Sequence, residues 1–547
     1  MTDEVPNQSP PFTDINLFTT DLPLQEAVER EGADYAADEI TAFGALCGSA
    51  EALERGRLAN EFPPRLRTHD PKGRRLDLVE FHPAYYACMA QSMAAGLHCG
   101  SWEGQHQSGG QAGANVARAG AFYMTAQMEA GHCCPLTMTN AAVPTLRLQP
   151  ELADVWVPRI LSRSYDPAFK PASDKRSVTI GMGMTEKQGG TDVRANTTKA
   201  EPTANGGPGG EYVLTGHKWF LSAPMSDAFL VLAQAAGGLS CFLVPRFLPD
   251  GTVNALRLQR LKDKLGNRSN ASAEVEFHGA HGWLIGEEGR GVPTIIEMVT
   301  YTRLDCAVAS AGLMRLALAM AVHHARHRAV FGRLLIEQPL MVHVLADLAL
   351  DVEAAVALVF RLARSFDRLE DERAAAWRRL MTPVTKYWVC KIAPAMVGEA
   401  MECLGGNGYI EENGIARIFR EVPVNSIWEG SGNVMALDVL RVLQREPEVA
   451  EIVMEDMAQA TNGDRHLQAA HERIAGLLHE PRLLDARARE LVETLALTAA
   501  GAILRMNAPA DVADAFIATR LAGHYHQTYG QGLERASTGA ILRRVLP

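Results

Sequence analysis

Glu429 lies in the segment VNSIWEGSGN (residues 424–433), where apolar Ile427 and Trp428 precede the carboxylate and small residues follow it. A carboxylate on an apolar loop can act as a general base, taking a proton from a carbon or oxygen acid. Ser431 and Asn433 add a hydroxyl and an amide close by in the sequence. The alternative interpretation is a solvated loop carboxylate without a chemical role.

A second group of chemically capable residues is in MTEKQGGTD, residues 184–192. Thr185 and Thr191 offer neutral hydroxyls, Gly190 allows close approach of the backbone, and Met184 offers an apolar contact. Hydroxyls and exposed amides suit the anionic edge of a ring system. On its own, the segment is equally typical of a glycine-rich β-turn.

The segment HKWFLSAP, residues 217–224, places an aromatic ring and a hydroxyl two residues apart, at Phe220 and Ser222. A strand with alternating core residues would have the same pattern.

The segment RHRAVFG, residues 326–332, carries Arg328 and Phe331, which we expect on a helix. Arginine suits phosphate binding because its planar fork stays charged. His323 and His327 are spaced i, i+4 as metal ligands can be, but no acidic partner joins the pattern, so we expect no metal site.

In AMECLGGNGYIEE, residues 400–412, Gly405 and Gly406 follow a helical pattern. We expect a helix C-cap followed by a turn whose backbone is open to a ligand.

Composition indicates a folded cytoplasmic protein. The chain has 547 residues and a net charge of −11, with nine scattered cysteines and 47% apolar residues. The odd cysteine count without paired spacing fits a reducing compartment. The acidic, polar N-terminus lacks the pattern of a secretory signal, and we expect no membrane segment. The acidic total gives no global attraction to nucleic acid, although a local basic face can coexist with it.

The elements that must position these residues change character along the chain. We expect a mainly α fold with a central β domain: an N-terminal helical domain over 1–177, an antiparallel β domain over 178–285, a helical bundle over 286–446 and an added helical segment over 447–547. No βαβ alternation is visible, so a Rossmann domain is not expected.

Five segments in this order, within residues 184–443, resemble the motifs of the acyl-CoA dehydrogenase superfamily. Longer phrases, including LSCFLVPRFLPDG, LKDKLGNRSNA and the C-terminal extension, resemble its alkylation-response branch, AidB. The resemblance implies a homotetramer with FAD at subunit interfaces, with Glu429 as the base that removes the α-proton of an acyl-CoA. Thr302, which precedes Arg303, stands where another branch of the superfamily carries its base.

The resemblance also assigns the flavin contacts. The β domain would hold the flavin ring, Arg328 and Phe331 would reach the FAD of the neighbouring subunit, and glutamate stands at position 402 where the family has glutamine. The predicted cofactor-binding set is Met184, Thr185, Gly190, Thr191, Phe220, Ser222, Arg328, Phe331, Gly405, Gly406, Ile427, Trp428, Ser431 and Asn433.

Two functions follow from the resemblance. The first is α,β-dehydrogenation of a short or branched acyl-CoA, with electrons passed to an electron-transfer flavoprotein. The second is binding of double-stranded DNA in the response to alkylation, with little dehydrogenation. The C-terminal region, including the added segment 447–547, would bind the DNA. The candidate arginines are Arg441 and Arg445, just before that segment, and Arg520, Arg543 and Arg544 within it. Any one of these could instead belong to a solvated helical surface.

Overall fold

The computed structural model describes residues 5–103, 112–461, 463–478, 481–523, 528–531, 533 and 535–546. The helices are α1 (Leu22–Arg30), α2 (Ala37–Cys47), α3 (Ala50–Glu61), α4 (Pro83–Ala94), α5 (Ala114–Met128), α6 (Cys133–Arg147), α7 (Pro150–Ile160), α8 (Gly291–His327), α9 (Pro339–Ser365), α10 (Glu372–Cys403), α11 (Ile415–Glu421), α12 (Gly432–Arg445), α13 (Pro447–Thr461), α14 (Arg465–Leu478), α15 (Pro481–Asn507), α16 (Ala510–Arg520) and α17 (Arg535–Arg543). The strands are β1 (Arg65–His69), β2 (Arg75–Glu80), β3 (Ile180–Gly183), β4 (Lys199–Pro202), β5 (Glu211–Ser222), β6 (Ala228–Ala235), β7 (Gly238–Pro245), β8 (Leu256–Leu261), β9 (Ser272–Ile285), β10 (Ala329–Val330) and β11 (Arg333–Leu334).

The chain divides into two compact units. The helical unit contains residues 1–50, 111–128 and 303–547, so the C-terminal extension packs with the bundle. The β-containing unit contains residues 51–110 and 129–302.

A seven-stranded sheet forms the centre of the β-containing unit, in the order β3-β5-β4-β6-β7-β9-β8, with further pairings of β3 with β6 and of β5 with β9. Most neighbours are antiparallel, whereas β3 and β4 each pair in parallel with β6. Tyr212, Phe229, Phe242 and Phe277 fill its core, each at most 1% exposed. Because alternate strand residues point inward, the intervening side chains remain for the opposite face.

The helical unit is built around α9 and α10, which pack against each other and against helices of the C-terminal segment. Asp371 is the N-cap of helix α10, and its side chain accepts a hydrogen bond from the amide of Ala374. That bond satisfies one of the free amides at the helix start.

Helix α8, which begins in the β-containing unit and ends in the helical unit, is long and apolar enough to cross a membrane by length and composition alone. However, 89% of its most apolar stretch is buried inside the protein. This burial is typical of a core helix, so α8 is weak evidence for a membrane span.

Two local structures differ from the sequence-based expectation. The N-terminal helical region contains the antiparallel hairpin β1–β2. Arg328 and Phe331 lie beyond the end of α8, so the prediction that they sit on a helix is wrong: Phe331 and Gly332 form the two-residue turn of the β10–β11 hairpin. Both turn residues have positive φ, 53° and 76°, as a type I′ turn requires.

Candidate functional site

A buried ion pair joins the two candidate segments of the β-containing unit. Nζ of Lys218 donates to Oε1 of Glu186 at 2.7 Å, and both side chains are fully buried. The Oε2 atom of Glu186 accepts from the amide and hydroxyl of Thr197 at 2.7 and 2.9 Å. Burial acts to raise the pKa of Glu186, but the Lys218 ammonium and these hydrogen bonds hold it well below its usual range. Glu186 is therefore a fixed anion that anchors residues 184–192 to β5.

The anchored segments place their hydroxyls near one another. Ser222 is paired with Met182 in the β3–β5 register, and the amide of Trp219 donates to the carbonyl of Thr185 at 2.8 Å. A register shift between Lys218 and Leu221 interrupts the ladder with β9 in this region. Bulges of this kind redirect side chains at functional sites.

The side chains that sequence analysis assigned to a planar ligand remain accessible. Phe220 is 45% exposed. Thr191 and Gly190 are exposed, and Met184, Thr185 and Ser222 are partly buried. A Cβ on Gly190 would lie 2.4 Å from Oγ1 of Thr185, so any other residue there would displace the Thr185 hydroxyl. The structure thus brings these six residues together in one region of the β-containing unit.

In the helical unit, the carboxylate of Glu429 is carried on a loop whose backbone is held by two buried cations. Nζ of Lys386, 1% exposed, donates to the carbonyls of Trp428 (2.9 Å) and Gly430. Nε of Arg303, 7% exposed, donates to the carbonyl of Glu429 at 3.0 Å. Three successive carbonyls are therefore fixed from α10 and α8.

The clamp maintains an unfavourable backbone conformation. Glu429 has φ of 57°, in the left-handed region that a glutamate rarely adopts. Nη1 of Arg303 also donates to Oδ2 of Asp438 at 2.7 Å, which fixes the guanidinium from α12. Strained residues that surrounding contacts over-determine are found mainly at functional sites.

The neighbours of Glu429 are also positioned by side-chain hydrogen bonds. Nε1 of Trp428 donates to Oδ1 of Asn425 at 2.8 Å. Nε of Arg489, on α15, donates to Oδ1 of Asn433 at 2.8 Å. The C-terminal extension therefore contacts the start of α12, next to the candidate base.

The hairpin turn and the glycine turn of the helical unit are connected through the N-terminal segment. Nη1 of Arg328 donates to the carbonyl of Asn7 at 2.7 Å, and Nδ2 of Asn407 donates to Oε1 of Gln8 at 3.0 Å. Gly405, with φ of 60°, caps α10, and a Cβ on Gly405 or Gly406 would meet no atom within 4 Å.

Several candidates of the helical unit are strongly exposed: the ring of Phe331 is 97% exposed and Ile427 is 65% exposed. Ser431 is also exposed, at the N-cap of α12. The helical unit thus offers accessible groups at two places, the hairpin with the glycine turn and the Glu429 loop. Groups of these kinds suit a large ligand with phosphates and rings.

The candidate DNA-binding arginines separate into two classes. Arg441, Arg445 and Arg543 are exposed. Arg520 is buried against Asp347 and Asp351, with N–O distances of 2.5 and 3.0 Å.

Arg544 is buried in the same way, between Glu353 (2.8 Å) and Glu26 (2.5 Å). We therefore remove Arg520 and Arg544 from the predicted DNA-binding set, because both guanidinium groups are buried and already paired with two carboxylates each.

Lys386, Asp438 and the Glu186–Lys218 pair were missed by sequence reasoning. A single lysine inside the apolar stretch TPVTKYWVC was the available signal, since an unpaired buried ammonium is unfavourable. Among the described residues, no group of three or more His, Cys, Asp and Glu side chains is placed to bind a metal.

The β domain between helical segments, with these two loop sets, defines the acyl-CoA dehydrogenase class of flavoproteins. Family profiles agree: "Adaptive response protein AidB N-terminal domain" matches residues 7–167, "Acyl-CoA dehydrogenase, middle domain" matches 181–280 and "Acyl-CoA dehydrogenase, C-terminal domain" matches 289–444.

The chain is 50% identical over 511 residues to "Putative acyl-CoA dehydrogenase AidB" of Escherichia coli K12, with 93% of each chain covered. It is 31% identical to "Acyl-CoA dehydrogenase family member 11" of Caenorhabditis elegans, with 87% of this chain and 81% of the relative covered. A solved structure of Caenorhabditis elegans ACDH-11 in complex with C11-CoA superposes with a TM-score of 0.83 at 28% identity, covering 100% of this chain and 93% of the other. The chain belongs to the AidB branch of the acyl-CoA dehydrogenase family.

Membership of this family confirms the predicted fold class, and it confirms the prediction that the protein is an FAD-dependent oxidoreductase. The residues fit this cofactor on structural grounds: the hydroxyl segment of the β-containing unit is rigidly anchored, and the helical unit presents Arg328, an exposed aromatic ring and uncrowded glycines. The assignment of individual residues to FAD remains a prediction.

Proposed function

We propose that this protein catalyses the α,β-dehydrogenation of a short or branched acyl-CoA, with Glu429 as the base. The observation that carries the proposal is the clamped loop, in which Lys386 and Arg303 fix the backbone of a glutamate at positive φ. A base that must meet one carbon-bound proton benefits from such fixation, because small displacements of catalytic groups reduce the rate strongly.

When bound, FAD accepts the hydride equivalent that leaves the β-carbon of the substrate. The chain's part is to bind and orient. Thr185, Thr191 and Ser222 supply hydroxyls toward the ring, and Phe220 supplies an aromatic face. Glu429 takes the α-proton on its carboxylate and later releases it to solvent.

The acyl-CoA substrate class is supported by the ACDH-11 complex with C11-CoA. The preference for short or branched chains comes from sequence resemblance, so a thioester series that includes an eleven-carbon chain tests it. Faster turnover of the eleven-carbon thioester than of short and branched ones would contradict this preference.

The proposed reaction requires an electron acceptor that reoxidises the flavin. We infer that an electron-transfer flavoprotein reoxidises the flavin, that the protein acts in the cytoplasm and that it assembles as a homotetramer. The 97% exposed ring of Phe331 supports assembly, because a large aromatic side chain is rarely left in water without a partner.

The test of the proposal is the reduction of bound flavin by acyl-CoA without oxygen, in Glu429→Gln and in the matched control Glu448→Gln. Glu448 is exposed on α13. The amide keeps the shape of the carboxylate but cannot accept the proton at neutral pH. We expect flavin reduction to be lost in the first variant and kept in the second, with FAD content equal in both.

DNA binding is the second candidate function, and it now depends on a smaller set of residues. Arg441 and Arg445 are exposed and lie one helical turn apart on α12, so they can face one phosphate backbone. The double variant Arg441→Ala/Arg445→Ala should weaken duplex binding at low salt and reduce its salt dependence. Unchanged affinity and salt dependence would remove this surface as a DNA contact.

A further inference from the structure

A cleft of about 430 Å³ lies in the helical unit, between the C-terminal end of α9, the start of α10 and helices α13 and α15. Five arginines line it, at positions 30, 361, 364, 368 and 373, against three carboxylates at positions 31, 371 and 456. The wall contributed by α15 is largely apolar and includes Ile503 and Met506. The cleft therefore combines a positive side with an apolar side.

Two buried hydrogen-bond donors in the cleft have no acceptor among the described residues. Trp377 is 3% exposed and its indole Nε1–H lacks a partner, as does Nη2 of Arg30. Buried polar groups are normally satisfied, so an unmet group indicates a missing partner. Both of these groups can only donate, and the missing partner must therefore accept hydrogen bonds.

The three carboxylates of the cleft are outnumbered by its five arginines, and they are shared unequally among them. Glu31 is shared between Arg30 (2.8 Å) and Arg364 (3.4 Å). Asp456 pairs closely with Arg373 but lies 3.8 Å from Arg361.

The remaining guanidinium groups add to the positive side. Glu455, beside the cleft, also pairs with Arg373, at 3.2 Å, so this arginine has two acidic partners. Arg361 instead stacks on the ring of Trp377, 4.5 Å from its centroid. Arg368 is exposed and has no ion pair among the described residues. Asp371 interacts electrostatically with both Arg368 and Arg361 without a close ion pair. Arg368, and Arg361 with its long 3.8 Å contact to Asp456, are therefore the guanidinium groups most available to an anion.

We propose that this cleft binds a phosphorylated small molecule of about nucleotide size, with its phosphate on Arg361, Arg368 and the Trp377 indole and its organic part on the apolar wall. Guanidinium groups bind phosphate through paired hydrogen bonds. The volume lies in the range of small-molecule sites, which is too small for a DNA duplex.

The cleft lies far from Arg328, and none of the predicted flavin-binding residues lines it. The hairpin with Arg328 precedes α9, whereas Arg361 and Arg364 lie near its other end. A helix of 27 residues is roughly 40 Å long. Ligand binding at the cleft can thus be measured on the FAD-loaded protein without competition at the flavin.

The experiment is calorimetric titration of the FAD-loaded protein with AMP, adenosine, inorganic phosphate and a short DNA duplex. The variants are Arg368→Ala, Trp377→Phe and the control Arg65→Ala, in which an exposed arginine of β1 is removed. We expect AMP to bind at one site, phosphate to bind more weakly and adenosine not to bind. AMP affinity should fall about tenfold or more in Arg368→Ala and several-fold in Trp377→Phe, and should be unchanged in the control.

Each other outcome overturns the proposal. If neither AMP nor phosphate binds at millimolar concentration, the two donors are satisfied by water alone. If phosphate binds as tightly as AMP, the apolar wall has no role. If the duplex displaces AMP, the phosphate source is nucleic acid, and if Arg368→Ala binds AMP like the parent, the site lies elsewhere.

Discussion

Replacing Lys386 by methionine tests whether the clamp on the Glu429 loop is what positions the base. Methionine keeps much of the volume of lysine but cannot donate to the carbonyls of Trp428 and Gly430. Hydrogen bonds from an ionised donor contribute roughly 1.5–3 kcal/mol each, so two amount to about 3–6 kcal/mol. Removing a buried ammonium recovers part of its desolvation cost, which leaves a net local loss of about 2–4 kcal/mol.

The lost stability should appear as easier opening of the Glu429 loop and not as a lower stability of the whole protein. The amides of Ile427 and Trp428 are hydrogen-bonded to the carbonyl of Val424, so their hydrogen exchange reports on loop opening. A loss of about 2–4 kcal/mol corresponds to exchange on the order of 30 to 1,000 times faster. We also expect turnover to fall by on the order of 100-fold, because the base is no longer held within about 1 Å of its position.

The control is Lys72→Met, the same substitution at an exposed position in the turn between β1 and β2. Exchange and turnover should match the parent in this variant. If Lys386→Met leaves both the exchange of residues 427–431 and the turnover unchanged, the clamp does not position Glu429 and the proposed mechanism loses its structural basis.

Two further predictions concern buried ion pairs, and a third concerns the predicted FAD contact of Arg328. Arg520→Leu should destabilise the protein by about 3–5 kcal/mol, because it leaves two buried aspartates unpaired, whereas Arg543→Leu at an exposed site should not change the melting temperature. Arg328→Ala should lower the FAD content of the purified protein through loss of a phosphate contact, and equal flavin absorbance per chain would contradict that role. Burial raises the pKa of Glu353 to about 7, although its partner Arg544 acts in the opposite direction. The stability that Glu353 contributes should therefore be fully present below about pH 4.5 and be lost as the pH rises through 7. In a series of melting temperatures against pH, Glu353→Gln should flatten this decrease.

The sequence predicted the fold class and the cofactor because both depend on local signals. The helical spacing after Gly291 and the β-branched runs within 178–285 each indicated one element type, and the order of five short motifs indicated the family. The hairpin β1–β2 had a signal too, since alternating apolar residues flank the turn DPKG.

The parts that could not be predicted depend on contacts between distant residues. Arg520 and Arg543 look alike in sequence, but only the fold places Arg520 against aspartates about 170 positions earlier. The turn at Phe331 was hidden because the preceding residues continue a helical pattern, and the hairpin is tied by Asn7, more than 300 positions away. The positive φ of Glu429 likewise requires Lys386 and Arg303 from separate helices.

The central claim is that Glu429 removes the α-proton. The most direct measurement is solvent-deuterium exchange into the α-carbon of a bound acyl-CoA, followed on the same samples as flavin reduction. We expect exchange and flavin reduction in the parent and in Glu448→Gln, and neither in Glu429→Gln with its full complement of FAD. Exchange and flavin reduction at near-parental rates in Glu429→Gln would show that another group takes the proton.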